Sequence, residues 1–280
     1  MSGTNDDQKA FWEKFASLWV TQQAALDSLM APILDRVLTE AVIAPGETVL
    51  DIGCGTGISS LRAATATGSA GRVLGVDISE PMLERARATA TDVEHLQFET
   101  ADAAAYDFSP HSFDVVISRF GVMFFVDSIA AFSNIRRGMK PGARLIMGTW
   151  SYLDANPWFR VPMYASKRRL GAPPPMDPDG PGPLAFRDIT RVDSILKTAG
   201  FQNIKGWAET LQLEPPGDLQ SVAQHAGSIG PAARTIQHFN ADQEDFDAIV
   251  SEIAQHFADY MTPQGARIPA AINFFTATAP

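Results

Sequence analysis

Cysteine is almost missing from this chain of 280 residues: Cys54 stands alone, so no intramolecular disulfide can form. Positive charge is also scarce, because 22 lysines and arginines face 32 acidic residues and the net charge is −10. A chain without a basic field does not collect phosphates, which argues against a nucleic-acid or anionic-membrane partner. No apolar run approaches transmembrane length, and Asp6, Lys9 and Glu13 interrupt any signal-like segment. These absences predict a globular protein of the cytoplasm.

Hydrophobic periodicity divides the chain into helical and alternating segments. Apolar residues recur at helical spacing over 8–43, whereas residues 45–150 alternate short apolar runs with helical patterns. Such alternation predicts a parallel sheet with helices on both faces. Six prolines between positions 172 and 183 exclude a regular helix or a central strand there. Later segments predict a helix over 188–199, strands over 203–213 and 270–278, and a mostly helical stretch over 215–265.

The most informative motif lies at residues 49–57, which read VLDIGCGTG. A short apolar run meets an acid and then glycines at alternate positions, and an apolar helical pattern follows at once. Such a strand-to-helix junction lets the backbone turn sharply and lets a ligand lie against the main chain. The dinucleotide pattern G-x-G-x-x-G would place its third glycine at the position of Ile58. The loop therefore fails that pattern and reads D-x-G-x-G-x-G.

Later strand ends carry polar residues that are expected beside this loop. The second predicted strand, over 72–77, ends at Asp77, whose carboxylate can accept two hydrogen bonds from a ribose diol. Ser79 is predicted to cap the next helix, and Met82 to face back toward the loop as a soft apolar surface. The remaining predicted strands are 96–99 before Asp102 and Ala103, 113–118 before Arg119, and 144–150 after a Pro141-Gly142 turn.

In order, spacing and strand-end chemistry, residues 45–150 resemble the class I S-adenosylmethionine (SAM) methyltransferases. Within that family the chain is most similar to the small-molecule branch related to ubiquinone and menaquinone biosynthesis. The resemblance implies that Asp51 orients the methionine amine end of SAM, and that Asp102 with the Ala103 N–H holds the adenine edge. It also implies that an N-terminal segment with Trp19 folds over the cofactor. The full predicted cofactor set is Trp19, Asp51, Gly53, Gly55, Gly57, Asp77, Ile78, Met82, Asp102, Ala103, Ser118 and Arg119.

The resemblance also implies a fold class and an organisation. The fold is α/β, a Rossmann-like seven-stranded, mostly parallel sheet with helices on both faces and a helical substrate cap. The last two strands form an adjacent antiparallel pair in the family, so residues 215–265 are predicted to be an insertion between them. The predicted regions are N-terminal helices over 1–44, a SAM-binding core over 45–150, and a C-terminal half over 151–280 containing a lid over 151–187 and the insertion.

The reaction implied by the resemblance is transfer of the SAM methyl group to a small molecule by in-line displacement. That chemistry needs an aligned nucleophile and the exclusion of water. Trp19, Phe120 and Phe124 are candidates for an aromatic face beside the sulfonium. The sequence assigns no catalytic residue and no metal. Three histidines fall in the insertion, where a base could reach a substrate, but their spacing fits no metal signature: His225, His238 and His256.

Two alternatives of other classes stay open at this point. One is a nicotinamide-dependent oxidoreductase, against which Ile58 counts because it occupies the third glycine position. The other is a protein of the SAM-binding fold that transfers no methyl group, against which the intact glycine loop and Asp77 count. Binding of cofactors and turnover with a substrate panel would separate the three.

Overall fold

A seven-stranded sheet forms the centre of the computed structural model, which describes residues 5–280 apart from the side chains at positions 5–7, 11, 14 and 15. The first four residues of the predicted N-terminal region lie outside the described residues. The strand order is β3-β2-β1-β4-β5-β9-β6. The strands are β1 (Thr48–Ile52), β2 (Arg72–Asp77), β3 (Leu96–Thr100), β4 (Phe113–Arg119), β5 (Met139–Trp150), β6 (Gln202–Leu213) and β9 (Ile268–Thr278). A separate small hairpin pairs β7 (Met261–Thr262) with β8 (Gly265–Ala266).

The sheet is mostly parallel because its central strands are apolar on both faces. Four of the five β1 residues are buried, and β1 pairs in parallel with β2 and β4. Strands buried on both sides need helices on both faces, which is the arrangement of βαβ crossovers. Strand β9 runs antiparallel to its two neighbours, β5 and β6. The predicted Rossmann-like, seven-stranded, mostly parallel fold is confirmed.

Helices surround the sheet and continue beyond its last parallel strand. Four helices begin where an aspartate side chain accepts N-terminal amide hydrogen bonds, at Asp127, Asp188, Asp218 and Asp242. The helices are α1 (Asn5–Thr21), α2 (Gln23–Leu29), α3 (Ala31–Ala41), α4 (Ile58–Thr67), α5 (Glu80–Thr89), α6 (Ser128–Gly138), α7 (Pro157–Leu170), α8 (Ile189–Thr198), α9 (Leu219–Ser228), α10 (Gly230–Phe239) and α11 (Gln243–Phe257). Among the described helices, none has both the length and the apolar content to cross a membrane.

Two local predictions were wrong. Ser79 occupies the N-cap position of α5, but its side chain makes no capping hydrogen bond. Its hydroxyl is buried and has no hydrogen-bond partner. The Pro141-Gly142 turn is not a separate turn: β5 already begins at Met139, which pairs with Phe113. Its pairing with β4 then shifts before Arg144, and Gly142 has a φ of +77° within the irregular stretch. A bulge lets the strand continue where a turn was expected.

The topology brings the helices after β6 to one edge of the sheet. Parallel strands β1, β2 and β4 end at the same edge, where the glycine loop lies. Strand β6 also ends there, because it is antiparallel to β9, which is itself antiparallel to β5. The stretch from Glu214 to β9 therefore leaves and returns at that edge. Glu214 joins this stretch to α2 through two hydrogen bonds. The Glu214 N–H donates to the Leu29 carbonyl at 3.4 Å, and the Glu214 carbonyl accepts from the Ser28 hydroxyl at 3.1 Å.

Candidate functional site

The glycines of the 49–57 loop are required for different physical reasons. All three have positive φ values, +66° at Gly53, +55° at Gly55 and +90° at Gly57, which side chains other than glycine rarely adopt. A Cβ at Gly53 would lie 2.5 Å from the Cα of Gly121, so two backbones cross there without room for an atom. Gly53 is therefore fixed by packing, whatever ligand the loop binds.

Gly55 and Gly57 differ in what surrounds them. A Cβ at Gly57 would lie 2.9 Å from Ala86 Cβ and from Phe98 Cζ, so this glycine seats α5 and β3 against the loop. A Cβ at Gly55 would meet only the flexible Met82 thioether, at 3.7 Å. Gly55 is thus the position of the three where the main chain is not closed off by other backbone or by rigid packing. Met82 lies beside it, as the sequence predicts.

Asp77 connects the end of β2 to the glycine loop. Its Oδ2 accepts the Gly55 N–H at 2.8 Å, and its Oδ1 accepts the Ser79 N–H at 2.9 Å. Burial raises the pKa of Asp77, while hydrogen bonds from the amides of Ser79, Gly55 and Ile78 act in the opposite direction. A carboxylate has about four lone-pair sites, so acceptor capacity remains for a ligand diol. Asp77 therefore shapes the loop and can also bind a ligand there.

Asp51 is a buried acid at the end of β1 with one oxygen uncommitted. Its Oδ2 accepts hydrogen bonds from the hydroxyls of Ser59 at 2.5 Å and Ser60 at 2.6 Å, both at the start of α4. Its Oδ1 is buried and has no partner. Burial raises the pKa of Asp51 to about 6, against the lowering effect of the two serines and of the Arg119 charge. A buried acceptor of this kind is suited to a cationic ligand group.

The raised pKa of Asp51 predicts a pH-dependent stability difference. The folded state holds the proton up to about pH 6 and the unfolded state only to 3.8, so unfolding releases it between these values. Stability contributed by protonated Asp51 is therefore lost as the pH rises through this window. Relative to Asp51→Asn, the wild type should lose about 2 kcal/mol of unfolding free energy between pH 4 and pH 7. Urea denaturation of both proteins across that range measures it, and a constant difference would contradict the assignment.

Asp102 and Ala103 follow β3 and form a tight turn beside β2. Asp102 Oδ1 accepts the Ala104 N–H at 2.9 Å, and the Asp102 carbonyl accepts the Tyr106 N–H at 2.8 Å. Ala103 is buried, and its carbonyl accepts from the Asn134 side chain at 3.0 Å. The Ala101 N–H donates to the Asp77 carbonyl at 2.9 Å, which sets this turn against the end of β2. The predicted adenine residues and the predicted ribose residue therefore lie on adjacent strand ends.

Ser118 and Arg119 end β4 beside β1, but their side chains do different things. The Ser118 hydroxyl donates to the Ile52 carbonyl at 2.8 Å and accepts the Gly121 N–H at 3.2 Å. This bridge holds Gly121 against Gly53, so the Ser118 side chain is structural. Arg119 is 12% exposed and reaches back to Asp27 of α2, a residue that the sequence did not single out.

Aromatic rings of α1 and of the segment after β4 meet over this edge. Trp12 packs edge-to-face on Phe124, with ring centroids 4.8 Å apart, and on Trp19 at 5.8 Å. Trp12 was missed, although it precedes Trp19 by two helical turns and so shares its face. Phe120 belongs to a different group, because it stacks on Trp150 at 4.6 Å inside the core. Trp19 and Phe124 thus stay candidates for an aromatic face over the site, and Phe120 supports the sheet end.

Of the three histidines after β6, one is enclosed. His238 and His256 are exposed, whereas the Nε2 of His225 is buried and has no hydrogen-bond partner. Burial lowers the pKa of His225, which favours the neutral, proton-accepting imidazole at pH 7. The His225 ring packs edge-to-face on Trp158 at 5.7 Å. It borders a cavity of about 350 Å³ between α2 and α9, lined by Gln22, Ala25, Pro216, Ser221, Gln224, His225 and Ser228.

Residues that could hold a metal do not cluster in the part of the chain that the structure describes. No group of three or more His, Cys, Asp or Glu side chains there is arranged for a metal ion. Cys54, the sole cysteine of the sequence, is buried, and its burial raises the pKa of the thiol well above the usual value. It packs with Leu83, Ala86 and Phe98, so it is part of the packing between the loop and α5.

Comparison with known proteins gives one consistent family. Residues 49–142 match the methyltransferase-domain family. An uncharacterised protein of Mycobacterium tuberculosis is 36% identical over 138 residues, which are 48% of this chain and 49% of that protein. The demethylmenaquinone methyltransferase of Staphylococcus saprophyticus is 33% identical over 111 residues, 40% of this chain and 48% of that protein. The chain thus spans about half the length of the curated relatives it matches.

A solved structure extends the likeness of the fold beyond the matched core. The phosphoethanolamine N-methyltransferase 2 of Haemonchus contortus, solved with phosphomonomethylethanolamine and S-adenosylhomocysteine, has a TM-score of 0.53 and 24% identity. The match covers 89% of this chain and 52% of that one. At this identity the likeness concerns the fold.

Proposed function

We propose that this chain, which belongs to the class I SAM-dependent methyltransferases, transfers a methyl group from SAM to a nucleophilic atom of a small-molecule metabolite. The observation that carries the proposal is the Asp77 carboxylate bonded to the Gly55 N–H at 2.8 Å. This bond fixes an acidic strand end against the one loop glycine whose missing Cβ would meet only a flexible side chain. The ribose of SAM needs a hydrogen-bond acceptor such as the Asp77 carboxylate. The adjoining methionine end needs an unobstructed main chain such as that at Gly55.

The residues at the sheet edge fit the parts of SAM in sequence. Asp77 would receive the ribose hydroxyls, and Asp102 with the Ala103 amide would receive the adenine edge. Gly55 and Met82 would border the sulfonium region, and Asp51 would face the amine through its unpartnered Oδ1. Bound SAM supplies an activated methyl group on a sulfonium. The chain's own residues then hold the donor, place the acceptor in line with the methyl group and keep water out.

The elements at this edge are suited to excluding water. Trp12, Trp19 and Phe124 form a continuous aromatic group where α1 passes over the segment following β4. Their ring faces can also tolerate the positive charge of the sulfonium. Helices α9 and α11 pack on α7, where Trp158 stacks on Phe257 with ring centroids 5.9 Å apart.

The substrate is proposed to be a small molecule that enters beside α2 and α9. The net charge of −10 argues against a nucleic acid as the substrate. The cavity between these helices, about 350 Å³, suits a metabolite and is lined by hydroxyl, amide and imidazole groups.

His225 is the candidate general base, because its Nε2 is buried, unpartnered and held neutral by burial. Replacing His225 with glutamine should then lower kcat with little effect on SAM affinity.

The proposal is tested by calorimetric titration followed by a turnover assay. The purified protein should bind S-adenosylhomocysteine at a single site, and NAD(H) under the same conditions should give no heat of binding. Methyl transfer from isotopically labelled SAM to a panel of phenols, amines, thiols and quinols then identifies the acceptor class. A protein that binds NAD(H) and does not bind S-adenosylhomocysteine would contradict the proposal and indicate a dehydrogenase. Tight S-adenosylhomocysteine binding without turnover on any acceptor would favour a non-catalytic SAM-binding protein.

We further propose that the proline-rich segment 172–183 and the insertion 215–265 cover the methyl-donor end of the site. The segment is fastened at the relevant edge, because the Gly182 N–H donates to the Met123 carbonyl at 3.1 Å just after β4. It is also joined to the insertion, since Arg234 of α10 donates to the Pro174 carbonyl at 2.8 Å. Two segments tied to each other and to the end of β4 are expected to respond together.

Hydrogen exchange should detect this cover. Residues 172–183 and 215–265 are expected to gain protection when S-adenosylhomocysteine and an acceptor bind, because covering elements come from the low-stability part of a fold. Strands β1 and β5 should stay protected throughout and serve as the internal reference. Identical exchange of both segments in free and ligand-saturated protein would contradict the proposed cover. Substrate selection would then be assigned to the N-terminal helices.

A further inference from the structure

Arg119 and Asp51 lie on one face of the sheet at its open edge. Asp51 of β1 pairs with Ile117 of β4, and Arg119 is two residues further along β4. Because side chains alternate along a strand, Arg119 and Ile117 point to the same face as Asp51. The two charged residues therefore lie on the same face where β1 passes into the glycine loop, near enough for their charges to attract each other.

Both side chains have one buried polar atom that no protein group satisfies. Arg119 Nη2 approaches Asp27 Oδ1 at 3.5 Å, while its Nη1 is buried without a partner. Asp51 uses Oδ2 for Ser59 and Ser60, while its Oδ1 is also buried without a partner. Buried charged groups in proteins are normally hydrogen-bonded, because an unmet charged donor or acceptor is destabilising. Two such atoms of opposite charge at one site point to a ligand that carries both charges.

A zwitterionic α-amino acid is the matching chemistry. Its ammonium group needs an anionic acceptor and its carboxylate needs a cationic donor, and a guanidinium suits a carboxylate by geometry as well as by charge. The methionine end of SAM is such a group. The family resemblance already implies that Asp51 orients the amine, whereas Arg119 is in the predicted cofactor set without a role for its guanidinium.

We infer that the Arg119 guanidinium, held by Asp27 of α2, binds the α-carboxylate of the cofactor through the free Nη1 atom. The inference rests on the proposed function and adds the residue that recognises the amino-acid end of the donor. Asp27 is a positioning residue, because it acts on Arg119 and lies on the helix that borders the α2–α9 cavity. Occupancy by SAM would thereby be linked to the seating of α2 over the site.

The test compares two ligands that differ in the amino-acid end. S-adenosylhomocysteine carries the carboxylate and the amine, whereas 5′-methylthioadenosine carries neither. Arg119→Met should weaken S-adenosylhomocysteine binding about ten- to a hundredfold, the range for losing a hydrogen bond between charged groups. Binding of 5′-methylthioadenosine should change less than about twofold, because this ligand has no carboxylate for Arg119 to bind. Asp27→Asn should show the same selectivity with a smaller effect.

Arg62→Met is the matched control. Arg62 is a nearby arginine on α4 whose charge acts on Arg119, yet it pairs with Asp35 at 2.5 Å and is 41% exposed. Its substitution should change neither affinity. If Arg119→Met does not fold, the wild type still decides: it should bind S-adenosylhomocysteine at least about tenfold more tightly than the decarboxylated analogue.

The outcomes separate this inference from the proposed function. Wild-type protein that binds neither nucleoside overturns the proposed function and the inference with it. Wild-type binding of S-adenosylhomocysteine that survives Arg119→Met, or that falls in parallel with 5′-methylthioadenosine, overturns the Arg119 assignment alone. Equal wild-type affinity for S-adenosylhomocysteine and its decarboxylated analogue does the same.

Discussion

Replacing Gly53 with alanine is expected to destabilise the protein by about 3 kcal/mol or more, a large part of the roughly 5–15 kcal/mol by which folded proteins are stable. The new Cβ would lie 2.5 Å from the Cα of Gly121, and neither backbone can yield. Gly121 is held there from both sides, because its N–H donates to Ser118 Oγ, which in turn donates to the Ile52 carbonyl. Urea-induced unfolding followed by circular dichroism measures the loss.

Two other glycines separate this clash from the strain of a left-handed backbone. Gly142 has a φ of +77° and a Cβ added there would meet nothing within 4 Å, so Gly142→Ala should lose only the conformational term of about 1–2 kcal/mol. Gly55→Ala should lose a similar amount, since its Cβ would meet Met82 Sδ at 3.7 Å. Unlike Gly142→Ala, however, it should weaken S-adenosylhomocysteine binding at least about tenfold, because a methyl group replaces open main chain at the site. Equal stability of the Gly53 and Gly142 variants would contradict the packing account.

Replacing Asp77 with alanine is expected to reduce affinity for S-adenosylhomocysteine about ten- to a hundredfold, with the upper end favoured because two ribose hydroxyls lose one acceptor group. The structure adds a second cause. Asp77 also accepts the amides of Gly55 and Ser79, so its removal frees the loop that carries the cofactor. A melting temperature lowered by a few degrees but a cooperative transition are expected alongside the loss of binding.

Two variants distinguish the ribose contact from a general loss of stability. Asp77→Asn keeps one carbonyl acceptor and should fall between wild type and alanine in affinity. Asp114→Ala is the matched control: Asp114 also accepts a backbone amide, from Thr48 at 2.9 Å, but it lies near the opposite ends of these strands. It should lower stability and leave affinity unchanged. Unaltered affinity in folded Asp77→Ala protein would reduce Asp77 to a loop-shaping residue.

Local patterns predicted individual strands and helices closely. The second strand was predicted over 72–77 and is Arg72–Asp77, and the helix predicted over 188–199 is capped by Asp188 and spans Ile189–Thr198. Hydrophobic periodicity predicts such elements, because the faces that a strand or helix buries determine the spacing of apolar residues along the chain. It failed at Ser79 and at Pro141-Gly142, where a buried hydroxyl and a bulge depend on neighbours distant in sequence.

The candidate site was predicted at its strand ends and missed across its helices. Asp51, Asp77 and Asp102 follow apolar runs, so their positions at one sheet edge follow from the order of the strands. Asp27 and Trp12 lie in α2 and α1, whose placement over that edge depends on helix packing. A helical pattern gives the buried face of a helix and does not give the element that it covers.

The sequence by itself determined the alternation of strands and helices over residues 45–150 and the acids that end those strands, because glycine spacing and hydrophobic period are local properties of the chain. Tertiary structure alone decided that Gly53 is fixed by Gly121, that Ser118 serves that crossing, and that Arg119 and Asp51 each keep one buried atom unpaired. The physical reason is that van der Waals exclusion and hydrogen-bond satisfaction are settled between groups brought together by folding. No pattern along one strand records which atoms of its neighbours will be left without a partner.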